Sequence, residues 1–425
     1  MSVKRIILLL IGFYMSGPVS AQNSVTLSGY VRDGTNGEVL IGASVSLKSI
    51  EETDAQLLGT VTNVYGYYNI PVPAGKYIAE YSYLGFQLKT IELSILENLV
   101  QDIELAEEAA ALTEVVVSAT QTSVRSSEIS VEKIKGETIE KLPAILGEPD
   151  VLRSIQLLPG VSSASEASSG FNVRGGGADQ NLILLDEGII YNASHLFGLF
   201  SIFNTDAVND LKLFKGGIPS TYGGRLSSVL DVQQKEGNRK EFGGQASIGL
   251  ISAKLFVEGP FAKTADGANG SFMLAGRRSY LDAFTFLSED FSDFGLYFYD
   301  LNLKTNYRLN DKNQIFLSGY LGRDNFVIPD LLGSSWGNTA VTLRWTSILS
   351  DKLFLQTSLV YSNYDYNLDI LSPGAELRWE SAITNLNIKP RLSWFLGPKS
   401  TMRLGADVLD YTFDPASIAP LESSP

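Results

Sequence analysis

Cysteine is absent from the 425 residues, which removes disulfides, thiolate nucleophiles and Cys-ligated zinc from consideration. Histidine occurs once, at His195. A single imidazole gives no basis for a histidine zinc site or a Ser-His-Asp triad, and in that light it reads as an ordinary polar residue. Positive charge is scarce too: 33 Lys and Arg against 47 Asp and Glu leave a net charge of −14, the opposite of the basic footprint that nucleic acid demands. Long apolar runs are missing; nothing after the first residues approaches the roughly 20 needed for a membrane-spanning helix. The glycine-rich stretch NVRGGGADQNLILLDEGIIYN, Asn172 to Asn192, has Gln180 where a dinucleotide fingerprint needs its third glycine, and it has no Gly-Lys-Ser/Thr. It is therefore read as a turn of residues that tolerate φ > 0, feeding a short buried strand that breaks again at Asp186-Glu187-Gly188.

What is present begins with an export signal over residues 1–21. Lys4 and Arg5 precede a short apolar core, Ile6 to Met15, and Val19-Ser20-Ala21 supplies small residues for cleavage. An exported chain without disulfides must be held by burial, hydrogen bonding or a membrane, which suits a bacterial envelope protein. Residues 22–107 alternate in short runs (TLSGYVRD, ASVSLKS, GYYNIPV, GKYIAEYSYLG) between Gly, Asn and Asp turns, the pattern of a small antiparallel β-sandwich with no nucleophile or metal cluster.

Residues 108–123 are acidic and alanine-rich around the β-branched string Leu112, Thr113, Glu114, Val115, Val116, Val117, Ser118. That string has two equal readings: a loose strand offered to another protein by strand addition, or the last strand of the sandwich. Residues 124–236 change character, with helical periodicity from Glu137 to Leu158 and short strands near Leu182, Val208 to Phe214 and Val229 to Gln233; they read as a compact α/β unit.

Residues 237–425 alternate over much longer stretches. Tyr297, Tyr299, Leu301, Leu303, Tyr307 and Leu309 share one face, with Asp300, Asn302, Lys304, Asn306 and Arg308 on the other. Val341, Leu343 and Trp345 oppose Thr342, Arg344 and Thr346; Leu386, Ile388, Leu392 and Trp394 oppose Asn387, Lys389, Arg391 and Ser393. This is the apolar-out, polar-in signature of membrane barrel strands, longer than the five or six residues usual in soluble sheets. Pro390 interrupts its ladder and predicts a bulge or strand end there.

The string GYVRDGTNGEVLIGASVSL with GTVTNVYGYYNIPVPAGKYIAEYSYLGFQ resembles the carboxypeptidase-regulatory-like, transthyretin-like domain placed ahead of outer-membrane receptors of the Bacteroidetes type. VLRSIQLLPGVSS, FNVRGGGADQNLILLDEGIIYNASHLFGLFSIFN and AVNDLKLFKGGIPSTYGGRLSSVLDVQQKEG resemble the plug domain of TonB-dependent outer-membrane receptors. The resemblance implies a mainly β chain: a transthyretin-like β-sandwich, a small α/β plug domain, then the first strands of an antiparallel transmembrane β-barrel, incomplete here. Such barrels close with about 22 strands, whereas residues 242–425 offer room for about eight or nine.

For the residues, the resemblance makes Leu112 to Ser118 the TonB box, and Arg174, Gly175, Gly176, Gly216, Gly217, Gly223, Gly224 and Arg225 the plug's turn and gate. Arg174 and Arg225 are expected to pair with acids in the barrel lumen. Tyr191, Asn192, His195 and Phe197 are expected ligand contacts. The implied partners are TonB with its inner-membrane energising complex, outer-membrane lipid, a small-molecule or oligomeric nutrient and a surface lipoprotein, but no nucleic acid. No catalytic residue, metal or cofactor is implied. The implied location is the outer membrane, with the N-terminal domain periplasmic, and the implied function is uptake of a siderophore, glycan or other nutrient. The alternative is a ligand sensor that signals to a periplasmic regulator. The plug ending LFKGGIPSTYGGRLSSVLDVQQK departs from that of starch-utilisation importers, which leaves glycan and metal chelate as comparable ligands.

Overall fold

Alternation with turn residues yields strands wherever one face can be buried, and the three regions bury their faces differently. A computed structural model describes residues 24–51, 57–108, 130–142, 147–164, 170–264, 267–283, 294–372, 375–397 and 400–420. The export signal and the string Leu112 to Ser118 lie outside the described residues.

The sandwich contains β1 (Ser24–Asp33), β2 (Ser44–Ser49), β3 (Leu58–Val61), β4 (Tyr67–Pro73), β5 (Gly75–Ser82), β6 (Lys89–Ile95), β7 (Leu99–Val100) and β8 (Ile103–Leu105). One sheet is ordered β3-β2-β5-β6; the other joins β4 to β1, with β7 and β8 pairing β1. Every second residue points inward, so Val45 and Leu47 of β2 meet Leu27, Val31, Ile70 and Val72 in one core.

The plug follows with β9 (Val131–Lys135), α1 (Gly136–Glu140), α2 (Val151–Gln156), β10 (Val161–Ser163), β11 (Phe171–Val173), β12 (Asn181–Leu185), β13 (Gly188–Ile189), β14 (Ser194–His195), β15 (Phe200–Ser201), β16 (Val208–Phe214) and β17 (Ser228–Gln234). Its main sheet runs β13-β12-β17-β16-β9, with β12 parallel to β17 and the other pairs antiparallel. The helical periodicity expected from Glu137 to Leu158 is met, among the described residues, by two short helices. Pro143 and Gly147 fall between them; Gly147 has φ of 83°, and the second helix starts afresh with Asp150 accepting the Arg153 amide at 3.0 Å.

The last region is one antiparallel sheet: β18 (Gly243–Ile248), β19 (Ser252–Thr264), β20 (Gly267–Ser279), β21 (Gly295–Asn310), β22 (Asn313–Ile328), β23 (Leu332–Ser350), β24 (Leu353–Ser372), β25 (Ala375–Gly397), β26 (Ser400–Gly405) and β27 (Val408–Pro420). β23, β24 and β25 reach 19, 20 and 23 residues. Leu301, Leu303, Val341, Leu343, Leu359, Leu386 and Ile388 face outward at 36–47% exposure, whereas Asn302, Lys304, Thr342, Arg344, Ser358, Asn387 and Lys389 face inward at 0–5%. The apolar side is the exposed one, as in a barrel that faces lipid. No described helix is long and apolar enough to cross a membrane.

β25 passes through Pro390 in register with Thr357, so the bulge or strand end expected there falls on its neighbour. β26 ends at Gly405 and β27 starts at Val408. The Ala406 amide donates to the Pro390 carbonyl at 3.1 Å, and the missing proline N–H faces that break. Two-residue turns, 311–312 and 351–352, close one end of the sheet; at the other, residues 280–294 connect β20 to β21, and the shorter 329–331 and 373–374 join β22 to β23 and β24 to β25. Short turns mark the periplasmic rim of such barrels and long loops the outer face.

Candidate functional site

The plug lies against the inner face of this wall. Tyr320 and Ala340 of the wall belong to the same apolar cluster as Ile139, Ile155, Phe203 and Leu230 of the plug. Around that contact the seam is polar and ionic.

Its lower part is built on the turn that joins β12 to β13. Asp186 and Glu187 both have positive φ, 47° and 74°, the backbone of a type I′ turn, for which Asn-Gly or Asp-Gly would be cheaper. Holding two acids there aims both carboxylates at the wall. Lys304 Nζ meets Asp186 Oδ1 at 3.1 Å and also donates to the Gln234 carbonyl. Arg344 donates to Glu187 Oε1 through Nε and Nη2 at 3.1 and 3.0 Å, and Gln356 and Ser358 donate to the same oxygen. Lys389 reaches the Glu187 carbonyl at 3.3 Å. All of these groups are buried, so the dielectric is low and an unpaired member would be costly.

The upper part centres on His195, 1% exposed and stacked on Phe298 with ring centroids 4.3 Å apart. Its Nδ1 donates to Asp324 Oδ2 at 2.7 Å, its Nε2 lies 3.5 Å from Asp300 Oδ2, and the Leu196 amide donates to Asp324 Oδ1 at 2.8 Å. Arg277 completes the cluster, pairing with Asp300 at 2.7 Å and donating to the plug's Ser201 carbonyl at 2.9 Å. Glu148 of the plug pairs with Lys254 of the wall at 2.8 Å.

Burial alone would push the His195 imidazole down, but the carboxylates of Asp300 and Asp324 outweigh it and hold the ring above its ordinary value. A raised histidine contributes stability that is complete below about pH 6.5 and disappears as pH rises through the raised value. The plug is therefore expected to loosen on the alkaline side. Thermal unfolding of the protein in detergent, followed from about pH 6 to about pH 9, checks this; His195→Asn should flatten the dependence, and an equally steep profile in that variant would refute the assignment.

Of the four expected ligand contacts, three are spent on the wall. The Tyr191 and Asn192 amides donate to Asn338 Oδ1, the Tyr191 hydroxyl donates to Asn385, and Asn338 donates back to the Asn192 carbonyl at 2.7 Å. His195 is buried as described. Phe197 alone stands out, at 67% exposure. It sits with Leu196 and Gly198 in three consecutive positive-φ residues, 49°, 56° and 102°, a strained knuckle that persists because Leu196 is pinned beneath it. Phe326 and Trp336 of the wall lie 5.3 and 4.8 Å from its ring, and Trp336 stacks on Tyr366. This aromatic shelf was not legible in the sequence, because its members come from three wall strands and one plug turn.

The gate glycines and arginines divide. Gly216 packs so closely under the Arg174 guanidinium that a Cβ would overlap it, and Gly176 likewise has no room beside Ser227. Arg174 donates to Ser130 Oγ at 3.1 Å and Arg225 to the Gly224 carbonyl at 3.0 Å. Gly175, Gly217 and Gly224 take positive φ, 82°, 60° and 83°, and Gly223 has open space around it. The expected pairing of Arg174 and Arg225 with lumen acids does not occur among the described residues. Both sit on exposed turns, where water solvates a guanidinium at no cost. The charge pattern across the seam is the reverse of that expectation, with plug acids meeting wall bases at its lower end. The signal was in the sequence: Lys304, Arg344 and Lys389 occupy polar-in positions of the wall. Among the described residues, no group of three His, Cys, Asp or Glu is placed to hold a metal ion.

Comparisons with known proteins agree with this architecture. Residues 27–117 match the CarboxypepD_reg-like domain, and residues 123–228 match the TonB-dependent Receptor Plug Domain. A curated TonB-dependent receptor P3 from Formosa agariphila is 31% identical over 149 residues, 35% of this chain and 14% of that relative. Among solved structures, two mutants of the ferric enterobactin receptor from Pseudomonas aeruginosa superpose with TM-scores of 0.52 at 15% identity. Each superposition covers 68% of this chain and 50% of the receptor. The chain thus spans about half the length of those receptors, and the likeness is one of fold.

Proposed function

From a chain that belongs to the TonB-dependent receptors, outer-membrane β-barrel proteins, we propose active uptake: a ligand is captured on the long-loop side and admitted when TonB displaces the plug. The observation that carries this reading is the polar seam. A plug held by Asp186, Glu187, His195 and Glu148 against wall side chains exchanges each bond for water as it leaves, so removal costs less than the extraction of an apolar core.

The path of force supports it as well. Among the described residues strand β9 lies at the edge of the plug sheet, paired with β16, and it follows in sequence the segment that carries Leu112 to Ser118. A pull on that segment reaches the sheet at an edge strand. The periplasmic side would then hold the sandwich and the TonB box, and the aromatic shelf of Phe197, Phe326, Trp336 and Tyr366 would receive the ligand. A flat conjugated metal chelate and a sugar ring could each stack on that shelf.

The test is Val116→Pro, which deletes a ladder N–H from the proposed handle. Capture of the detergent-solubilised receptor by the periplasmic domain of TonB should fall about tenfold or more, roughly 1.4 kcal/mol, while the receptor's thermal unfolding is unchanged. Undiminished capture would remove Leu112 to Ser118 as the handle.

A further inference from the structure

We propose that the N-terminal sandwich is a lock on the plug: its Tyr65-Gly66-Tyr67 turn closes the short-turn mouth of the wall over the Arg344–Glu187 pair, and it must undock before the plug can move. This goes beyond the uptake reading and rests on it only for what the plug's movement achieves.

The face of β4 that points away from the sandwich core is buried. Tyr68, Ile70 and Val72 point into that core, so Tyr67 and Asn69 point out of it, yet each is only 3% exposed. The wall covers them. Tyr67 stacks on Phe354 with centroids 5.0 Å apart, Tyr65 lies 5.8 Å from Phe316, and the Asn69 amide donates to the Asp351 carbonyl at 2.6 Å. Gly66, with φ of 68° and no space for a Cβ beside Val39 and the Val31 carbonyl, makes the turn that presents both tyrosines.

Two further attachments tie the sandwich to what moves. Buried Glu38 accepts the amides of Glu236 and Gly237, at 2.6 and 3.0 Å, where the plug passes into the wall. Lys135 of β9 donates to the Leu84 carbonyl at 2.9 Å and lies over the Tyr83 ring. The Arg344 guanidinium is sandwiched in function as well as in space: it lies 5.2 Å from the Tyr65 centroid while holding Glu187 of the plug. With Tyr65 seated, water is kept from that pair and its attraction is strong; with Tyr65 gone, the pair is open to solvent and weakened. Residues 109–129 connect two docked bodies, so a pull there loads the sandwich and β9 together.

The experiment uses the full-length receptor in phosphatidylcholine vesicles with Asn69→Cys introduced into the 425 residues, which contain no cysteine, and with any cysteine elsewhere in the receptor replaced by serine. Labelling by a polyethylene-glycol maleimide should be slow, and about tenfold or more faster when Phe354→Ala removes the wall's side of the contact or Tyr65→Ala with Tyr67→Ala removes the sandwich's side. Because Phe354 is in the wall, that variant leaves the sandwich fold intact. Hydrogen exchange at Gly188 and Ile189 is read in the same double-tyrosine variant and should also accelerate about tenfold. Fast labelling in the unmutated background, or slow labelling unmoved by either variant, overturns docking. Fast labelling with unchanged exchange at Gly188 and Ile189 overturns the lock. Neither readout needs a ligand or TonB, so an error in the uptake reading leaves both interpretable.

Discussion

Replacing Glu187 with alanine should release the plug from the lower half of the wall at a cost of about 3–5 kcal/mol, the range for a buried pair that loses one member. Arg344 would then remain buried, with Gln356 and Ser358 having lost the same acceptor. The backbone adds nothing to that loss, because alanine at φ of 74° is no more strained than glutamate. Denaturant unfolding of the plug in detergent measures the change. A second variant decides the cause: Glu187→Gln with Arg344→Met removes the orphaned cation and should recover most of the loss. If the double variant is as unstable as Glu187→Ala, the ion pair is not what holds the turn.

Gly237→Val should prevent the plug and wall from assembling. Gly237 has φ of 85°, and a Cβ at that position would overlap the Phe272 carbonyl of β20. A β-branched residue adds both a left-handed backbone and a collision with backbone that cannot swing away. The expected destabilisation exceeds about 4 kcal/mol. The same junction carries the amide that Glu38 accepts, so a shift there would also undock the sandwich. Folded barrels migrate faster than unfolded ones in unheated detergent gels; the variant should lose that compact band, and a normal band would refute the assigned close approach. Gly223→Val, at a glycine with open space around it, is the matched control and should keep it.

Several elements were legible before any coordinates because their signals are local. The outward row Leu301, Leu303, Tyr307 and the inward row Asn302, Lys304, Asn306 lie on opposite faces of β21 as their alternation implies. Turn chemistry placed a break at Asp186-Glu187-Gly188, and a type I′ turn is found there. The helical periodicity of Glu137 to Leu158 is carried by two short helices, because side-chain periodicity does not register a backbone break such as Gly147 at φ of 83°. Of the expected ligand contacts, Tyr191 and Asn192 read as accessible polar loop residues, and only the approach of Asn338 and Asn385 from the wall buries their hydrogen bonds.

Which residues form strands, which faces are apolar and where the chain turns follow from local order alone, from a period of two and from the few residues that tolerate φ > 0. Tertiary structure alone decided that Glu187 meets Arg344, that His195 lies between Asp300 and Asp324, and that Tyr65 seats beside Phe316. Those partners are separated by more than 100 positions and belong to bodies with independent local patterns. Their meeting depends on the register of the wall and the seating of plug and sandwich against it, which no local pattern encodes.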